Sequence, residues 1–236
     1  MLTLVATLLL SLAPCPPGWD ALPGEACLLP GDAAGLIVYF HGMMAPAPQP
    51  FGWELSFLSA APKSKRAPVV VLRGTPGLCD WSSDYATWWC WPSARARLPA
   101  VGATLTRLGP VLVAAGERLG RPLPAPLFVG YSNGGYFLNL VMADTHAQAS
   151  GYVVINAGGV KGVSFPAERR RPTLLISGAG DTVQRPGMEA LRATLQTAGW
   201  APTWFSREGA HPPELADFGR VLDFASGLAW QAARAD

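Results

Sequence analysis

From Ala33 onward the chain alternates short apolar runs with longer amphipathic segments. Leu36-Ile37-Val38-Tyr39-Phe40 and Val69-Val70-Val71-Leu72, the second led in by Pro68, have the length and character of strands buried on both faces. Between about Ser93 and Leu119, the residues Leu98, Val101, Leu105, Leu108, Leu112 and Ala115 fall near one stripe. That spacing predicts a long helix, kinked at Gly109-Pro110. Leu127 to Gly130 predicts a strand, followed by a helix from Tyr136 to about Gln148 and a strand from Tyr152 to Ile155. A further strand is expected at Thr173–Ile176, a helix from about Gly187 to Thr197, a last strand near Pro202–Phe205 and a C-terminal helix from about Pro213 to Ala233. The stretch from Met43 to Gln49, punctuated by Pro46 and Pro48, reads as a loop. Strands alternating with helices imply right-handed crossovers and a mostly parallel sheet with helices on both faces, the α/β class.

The length of 236 residues suits one domain with a full α/β core. Half of the residues are hydrophobic and only 14% are charged, a balance that excludes a disordered chain. The net charge of +2, without a stripe of Lys and Arg, argues against nucleic acid as a partner. Arg169-Arg170-Arg171 is most simply a solvated loop. The first charged residue is Asp20, and Met1 to Ala13 is an unbroken run of apolar and hydroxyl residues. Such a run is too short to span a bilayer and has the character of a secretory h-region, although Lys and Arg are missing before it. The expectation is a signal peptide over residues 1–14, a single domain over 15–236, and a secreted or periplasmic product with no stable membrane insertion of the mature chain. Cysteine usage points the same way. Cys15, Cys27, Cys79 and Cys90 show neither Cys-x-x-Cys nor a His spacing suited to zinc. Of the three possible pairings, the local one, Cys15–Cys27 with Cys79–Cys90, is expected, and it requires an oxidising compartment.

In an open parallel sheet, ligands bind beyond the carboxyl ends of the strands. Gly130-Tyr131-Ser132-Asn133-Gly134-Gly135 occupies that place after one predicted strand: Gly-x-Ser-x-Gly between strand and helix, with Gly130 and Gly134 allowing the sharp turn. A serine hydroxyl needs a neighbouring base. His146 lies 14 residues along the same predicted helix, roughly 20 Å away. His41, after the first strand, is better suited to shaping its own loop. His211, after the last strand, is left as the base. Asp181 follows the strand ending near Ile176 and is the expected orienting carboxylate, with a helix cap as its bland alternative. The residue at the matching place after the 152–155 strand, Asn156, offers no carboxylate. For the oxyanion, one donor should be Asn133 N–H at the helix start; the other, uncertain by one residue, should be Met43 N–H beyond Gly42.

With Phe40-His41-Gly42, the Gly130–Gly135 turn, Asp181 and His211 in the order Ser, Asp, His, the chain from about residue 35 to 233 resembles the α/β-hydrolase superfamily. The resemblance implies a twisted, mostly parallel sheet and acyl-enzyme hydrolysis with neither metal nor other cofactor. Two departures are visible. The family's first antiparallel strands are hard to find before Leu36, so a reduced N-terminal edge is expected. The segment from Asn156 to Arg171 is also too short for the lid that many members insert there.

Four of the nine tryptophans fall between Trp81 and Trp91, on a loop leaving the same sheet edge. Trp81, Trp88 and Trp89, with Tyr131 beside the serine, are candidate substrate contacts; a mini-core over the loop is the equal alternative. The expected activity is carboxylic-ester hydrolysis on a small-molecule or glycan ester. A serine peptidase, an acyltransferase and a catalytically inactive binding protein remain alternatives. Oligomeric state is not legible.

Overall fold

The computed structural model describes residues 15–46, 51, 54–79, 82–144 and 147–230. The predicted signal segment, Trp81 and His146 therefore lie outside the described residues. In chain order the elements are β1 (Asp20–Leu22), β2 (Ala26–Leu29), β3 (Ile37–Phe40), α1 (Glu54–Ser59), β4 (Val69–Leu72), a small hairpin of β5 (Thr75–Pro76) and β6 (Trp89–Cys90), and α2 (Pro99–Leu119). They continue with β7 (Leu127–Tyr131), α3 (Asn133–Ala143), β8 (Gly151–Ile155), β9 (Thr173–Gly178), α4 (Arg185–Thr197), β10 (Thr203–Arg207) and α5 (Leu215–Ser226).

Eight strands form one sheet in the order β1-β2-β4-β3-β7-β8-β9-β10. Pairing is antiparallel at β1-β2-β4 and parallel from β4 onward. The central strands are buried throughout because their alternate side chains feed two different cores. Val38 and Phe40 of β3 and Val70 and Leu72 of β4 pack with α2, α3 and α4. Ile37, Tyr39, Val69 and Val71 point to the other face, where Leu55 and Leu58 of α1 meet Phe218 and Val221 of α5. Helices thus cover both faces, as the alternation of apolar runs predicts.

Several boundaries differ from expectation. The N-terminal edge is not reduced to nothing: β1 and β2 are present, only short, with Asp20 opposite Leu28 and Cys27 opposite Val71. Gly109 and Pro110 lie inside one helix, α2. The helix after Ser132 begins at Asn133, three residues early, and ends at Ala143. The last helix stops at Ser226, where Gly227 supplies the C-cap.

The turn between β7 and α3 is the tightest place in the fold. A Cβ on Gly134 would sit 2.1 Å from Phe40 O, and one on Gly130 would sit 2.4 Å from Gly134 O. Both positions require the missing side chain so that helix, turn and neighbouring strand can pass. Gly134→Ala should therefore lower stability by about 2–3 kcal/mol through a forced backbone shift. Gly102→Ala in α2, with open space around its Cβ, should instead raise it by about 0.5–1 kcal/mol. Thermal melts followed by circular dichroism compare the two; equal effects would contradict this account of the turn.

Candidate active site

Ser132 occupies the β7–α3 turn with φ +50° and ψ −116°, a conformation that non-glycine residues rarely adopt. Two hydrogen bonds hold it there. Its N–H donates to Ile155 O at 3.0 Å, and its carbonyl accepts from Tyr136 N–H at 3.0 Å. The strained turn leaves Oγ projecting from the carboxyl edge of the sheet.

His211 reaches this serine from the loop after β10. Its Nε2 lies 3.0 Å from Ser132 Oγ, and its Nδ1 lies 2.6 Å from Asp181 Oδ2. The carboxylate can only accept, so Nδ1 carries the proton and Nε2 presents a lone pair to the hydroxyl. Asp181, after β9, is buried, and its second oxygen accepts Gln184 N–H at 3.0 Å. It therefore orients the histidine and caps the turn into α4 at once. The three side chains singled out in the sequence meet in one hydrogen-bonded line.

The loop that carries His211 is braced from behind. Arg207, buried at the end of β10, donates to both oxygens of Asp217 at 2.9 and 2.8 Å, to Glu214 at 2.8 Å and to Pro212 O at 2.6 Å. Burial raises the Asp217 carboxyl, while hydrogen bonds from Glu214 N–H and the Arg207 guanidinium draw it back down. Asn156, at φ +47° just after β8, donates to His211 O at 2.6 Å and accepts Gly178 N–H at 2.8 Å. Sequence reasoning passed over both Asn156 and Arg207. An amide side chain immediately beyond a strand at the active edge was the one available signal.

On the other side of Ser132 lies the loop after β3. His41 makes no hydrogen bond to the serine: its Nε2 accepts Gly74 N–H at 2.9 Å, and its Nδ1 faces Gly42 O. Burial, with a smaller push from Arg73, lowers its pKa to about 4, so it is a neutral brace. Gly42 in turn hydrogen-bonds the buried carboxyl of Glu54, which also accepts Tyr39 OH at 2.5 Å. Burial raises Glu54 to about 7. Met44 is paired with Trp89 by two backbone bonds, of 3.1 and 2.9 Å. Asn133 is buried, and its side-chain Oδ1 accepts Trp91 N–H at 2.7 Å.

The aromatic stretch divides in space. Trp91 is core, 5.1 Å from the Phe40 ring. Trp89 is half-buried under the Arg73 guanidinium at 4.5 Å. Trp88, also half-buried, packs edge-on to Tyr85 at 5.0 Å. Tyr131 is buried with its ring 5.3 Å from the His211 imidazole, and the same ring closes against Gly42. Disulfides join Cys15 to Cys27 and Cys79 to Cys90, the local pairing expected. Among the described residues no cluster suits a metal ion, and no helix is long and apolar enough to cross a membrane. An apolar groove of about 720 Å³ between α2 and residues 121–126 lies at the amino end of β7, away from Ser132.

No family model matches the chain, and no curated protein matches it in sequence. Solved structures do resemble it. A carboxylesterase from Mesorhizobium loti superimposes with a TM-score of 0.62 at 20% identity, over 86% of this chain and 94% of that one. The Bacillus cereus carboxylesterase gives 0.58 at 15%, over 85% and 92%. The chain has the α/β-hydrolase fold. The acylaminoacyl peptidase of Pyrococcus horikoshii gives 0.59 at 15%, over 89% of this chain but only 40% of its own. Within this α/β-hydrolase fold, the elbow and the two loops stand at the sheet edge where ligands bind.

Glu54 and His41 make opposing contributions to pH-dependent stability. Between about pH 4.5 and 7 the folded state holds a proton on Glu54 that the unfolded chain has lost, so stability falls as pH rises. Between about pH 6.5 and 4 the unfolded chain takes up a proton that buried His41 refuses, so stability falls as pH drops. Each is worth roughly 3 kcal/mol across its window, and they offset where the windows overlap. Relative to wild type, Glu54→Gln should therefore gain roughly 3 kcal/mol between pH 4.5 and 7. Urea unfolding at both pH values reads this directly, and a pH-independent difference would contradict it.

Proposed function

We propose that the chain is a serine hydrolase that cleaves carboxylic esters through an acyl-enzyme intermediate. The hydrogen-bonded line Asp181–His211–Ser132, at 2.6 and 3.0 Å, carries this reading. His211 Nε2 takes the Ser132 proton as Oγ attacks the ester carbonyl, and Asp181 stabilises the imidazolium. The tetrahedral oxyanion falls to two backbone donors. Asn133 N–H, at the amino end of α3, is one. We take Met43 N–H in the facing loop as the second, a reading supported by the engagement of Gly42 with Glu54 and of Met44 with Trp89. The imidazolium then protonates the leaving alcohol, and water admitted by the same base releases the acid. No step calls on a metal or cofactor.

The substrate class we infer is a small-molecule or glycan ester, with Tyr131, Trp88 and Trp89 as candidate aromatic contacts; Tyr131 lies against the His211 ring and Trp89 against Met44. Its likeness in fold to an acylaminoacyl peptidase favours amide cleavage as the second reading, because His211 could equally protonate a leaving amine. Paired turnover of a p-nitrophenyl ester and a peptide p-nitroanilide separates the two. Two disulfides support an oxidising compartment, and with the apolar 1–14 segment they support export of a single domain from residue 15.

Ser132→Ala and His211→Ala should each lower kcat for p-nitrophenyl acetate by about 10³-fold or more, with folding unchanged. Asp181→Asn should also lower it, through the wrong tautomer of His211. A His211→Ala protein that keeps most of its turnover would remove His211 as the base.

A further inference from the structure

The two proposed oxyanion donors come from segments about 90 residues apart in sequence, yet three consecutive residues touch both. Trp89 binds the backbone of Met44 with two hydrogen bonds, 3.1 and 2.9 Å long. Two residues on, the backbone of Trp91 grips the Asn133 side chain: Trp91 N–H donates to Oδ1 at 2.7 Å, and Nδ2 donates to Trp91 O at 3.4 Å. The Trp91 indole adds a bond from Nε1 to His41 O at 3.0 Å. Between them sits Cys90, fully buried and joined to Cys79. The fit against Gly74, just before β5, is close. A Cβ on Gly74 would lie 2.6 Å from Cys90 O, and Gly74 N–H is the donor that His41 Nε2 accepts.

We propose that the Trp89-Cys90-Trp91 segment, anchored by the Cys79–Cys90 disulfide, is the gauge that sets the distance between the two halves of the oxyanion hole. Cys90 and the Asn133 side chain are its positioning residues. The proposal rests on the serine-hydrolase reading above and adds a role that reading does not require.

Oxyanion stabilisation depends on donors already in place, because donors that must move during the reaction lose much of their effect. The strand carrying the gauge cannot hold itself. β5 and β6 are two residues each, and a hairpin of that size is marginal alone. The disulfide ties the end of β6 back to Cys79 across a sequence separation of 11 and removes freedom that the hairpin alone cannot. Cys15–Cys27 instead ties the chain before β1 to β2, toward the sheet's edge. One disulfide should thus matter to turnover and the other to stability alone. A reducing environment should abolish rapid turnover while most of the fold persists.

The test compares Cys79→Ser/Cys90→Ser, Asn133→Ala and, as control, Cys15→Ser/Cys27→Ser, each checked for folding by near-ultraviolet circular dichroism. Steady-state hydrolysis of p-nitrophenyl acetate and inhibition by phenylboronic acid, which forms a tetrahedral adduct on a nucleophilic serine, are measured on all of them. The Cys79/Cys90 pair should lose about 10–100-fold in kcat with KM within about twofold, and its boronate inhibition constant should rise by a similar factor. Asn133→Ala should show the same signature at about tenfold. The control should melt lower with kcat unchanged. A folded Cys79/Cys90 variant with wild-type kcat, or an unaltered Asn133→Ala, overturns the gauge. If the Cys79/Cys90 variant fails to fold, Asn133→Ala decides alone. Wild-type protein that neither turns over esters nor binds the boronate overturns the hydrolase reading as well.

Discussion

Everything at the active edge depends on one close approach, the passage of the Ser132 turn beneath the end of β3. Gly134 lies so near Phe40 O that any side chain there would displace the strand, and Ser132 itself is held at a positive φ. Such a turn is unfavourable in isolation and persists only where its surroundings over-determine it. Here the surroundings are the bonds to Ile155 and Tyr136 and the packing of α3 across β7 and β8. Strain at one residue thus converts a sheet edge into an exposed hydroxyl and an open helix terminus.

Around that turn the polar groups fall into two braced sets. Behind His211, the Arg207 guanidinium spans Asp217, Glu214 and the Pro212 carbonyl, while Asn156 joins β8, β9 and the histidine loop. Behind Met43, the groups are His41, Glu54, Tyr39 and the Trp89–Trp91 segment. Apart from the exposed Glu214, each set consists of side chains that are buried or half-buried and committed by hydrogen bonds to fixed positions. Rigid support of this kind is what preorganised electrostatic catalysis needs, since the donors and the base must stand ready before charge develops.

Much of this was legible in the sequence, for physical reasons. Runs such as Val69–Leu72 announce strands buried on both faces, and Ser132, Asp181 and His211 announce themselves by following strands at one edge. The antiparallel edge was missed because β1 has three residues and β2 four, too few for a periodicity to show. The helix after Ser132 was placed late because Gly134 and Gly135 are poor helix formers; close packing against Phe40 and Ala157 demands them there. The roles of Glu54 and Arg207 are not legible in the sequence, and that of Asn156 shows only as an amide just beyond a strand. Each acts through partners distant in sequence or through a backbone carbonyl, and neither leaves a local pattern.

The central claim is that Ser132 is a nucleophile activated by His211. Intact mass spectrometry after exposure to a fluorophosphonate, followed by peptide mapping, tests it most directly. One adduct per chain, placed on Ser132 and lost in Ser132→Ala, His211→Ala and urea-unfolded protein, is the result predicted. Folded wild-type protein that takes up no fluorophosphonate, or takes it up on another residue, would contradict the account.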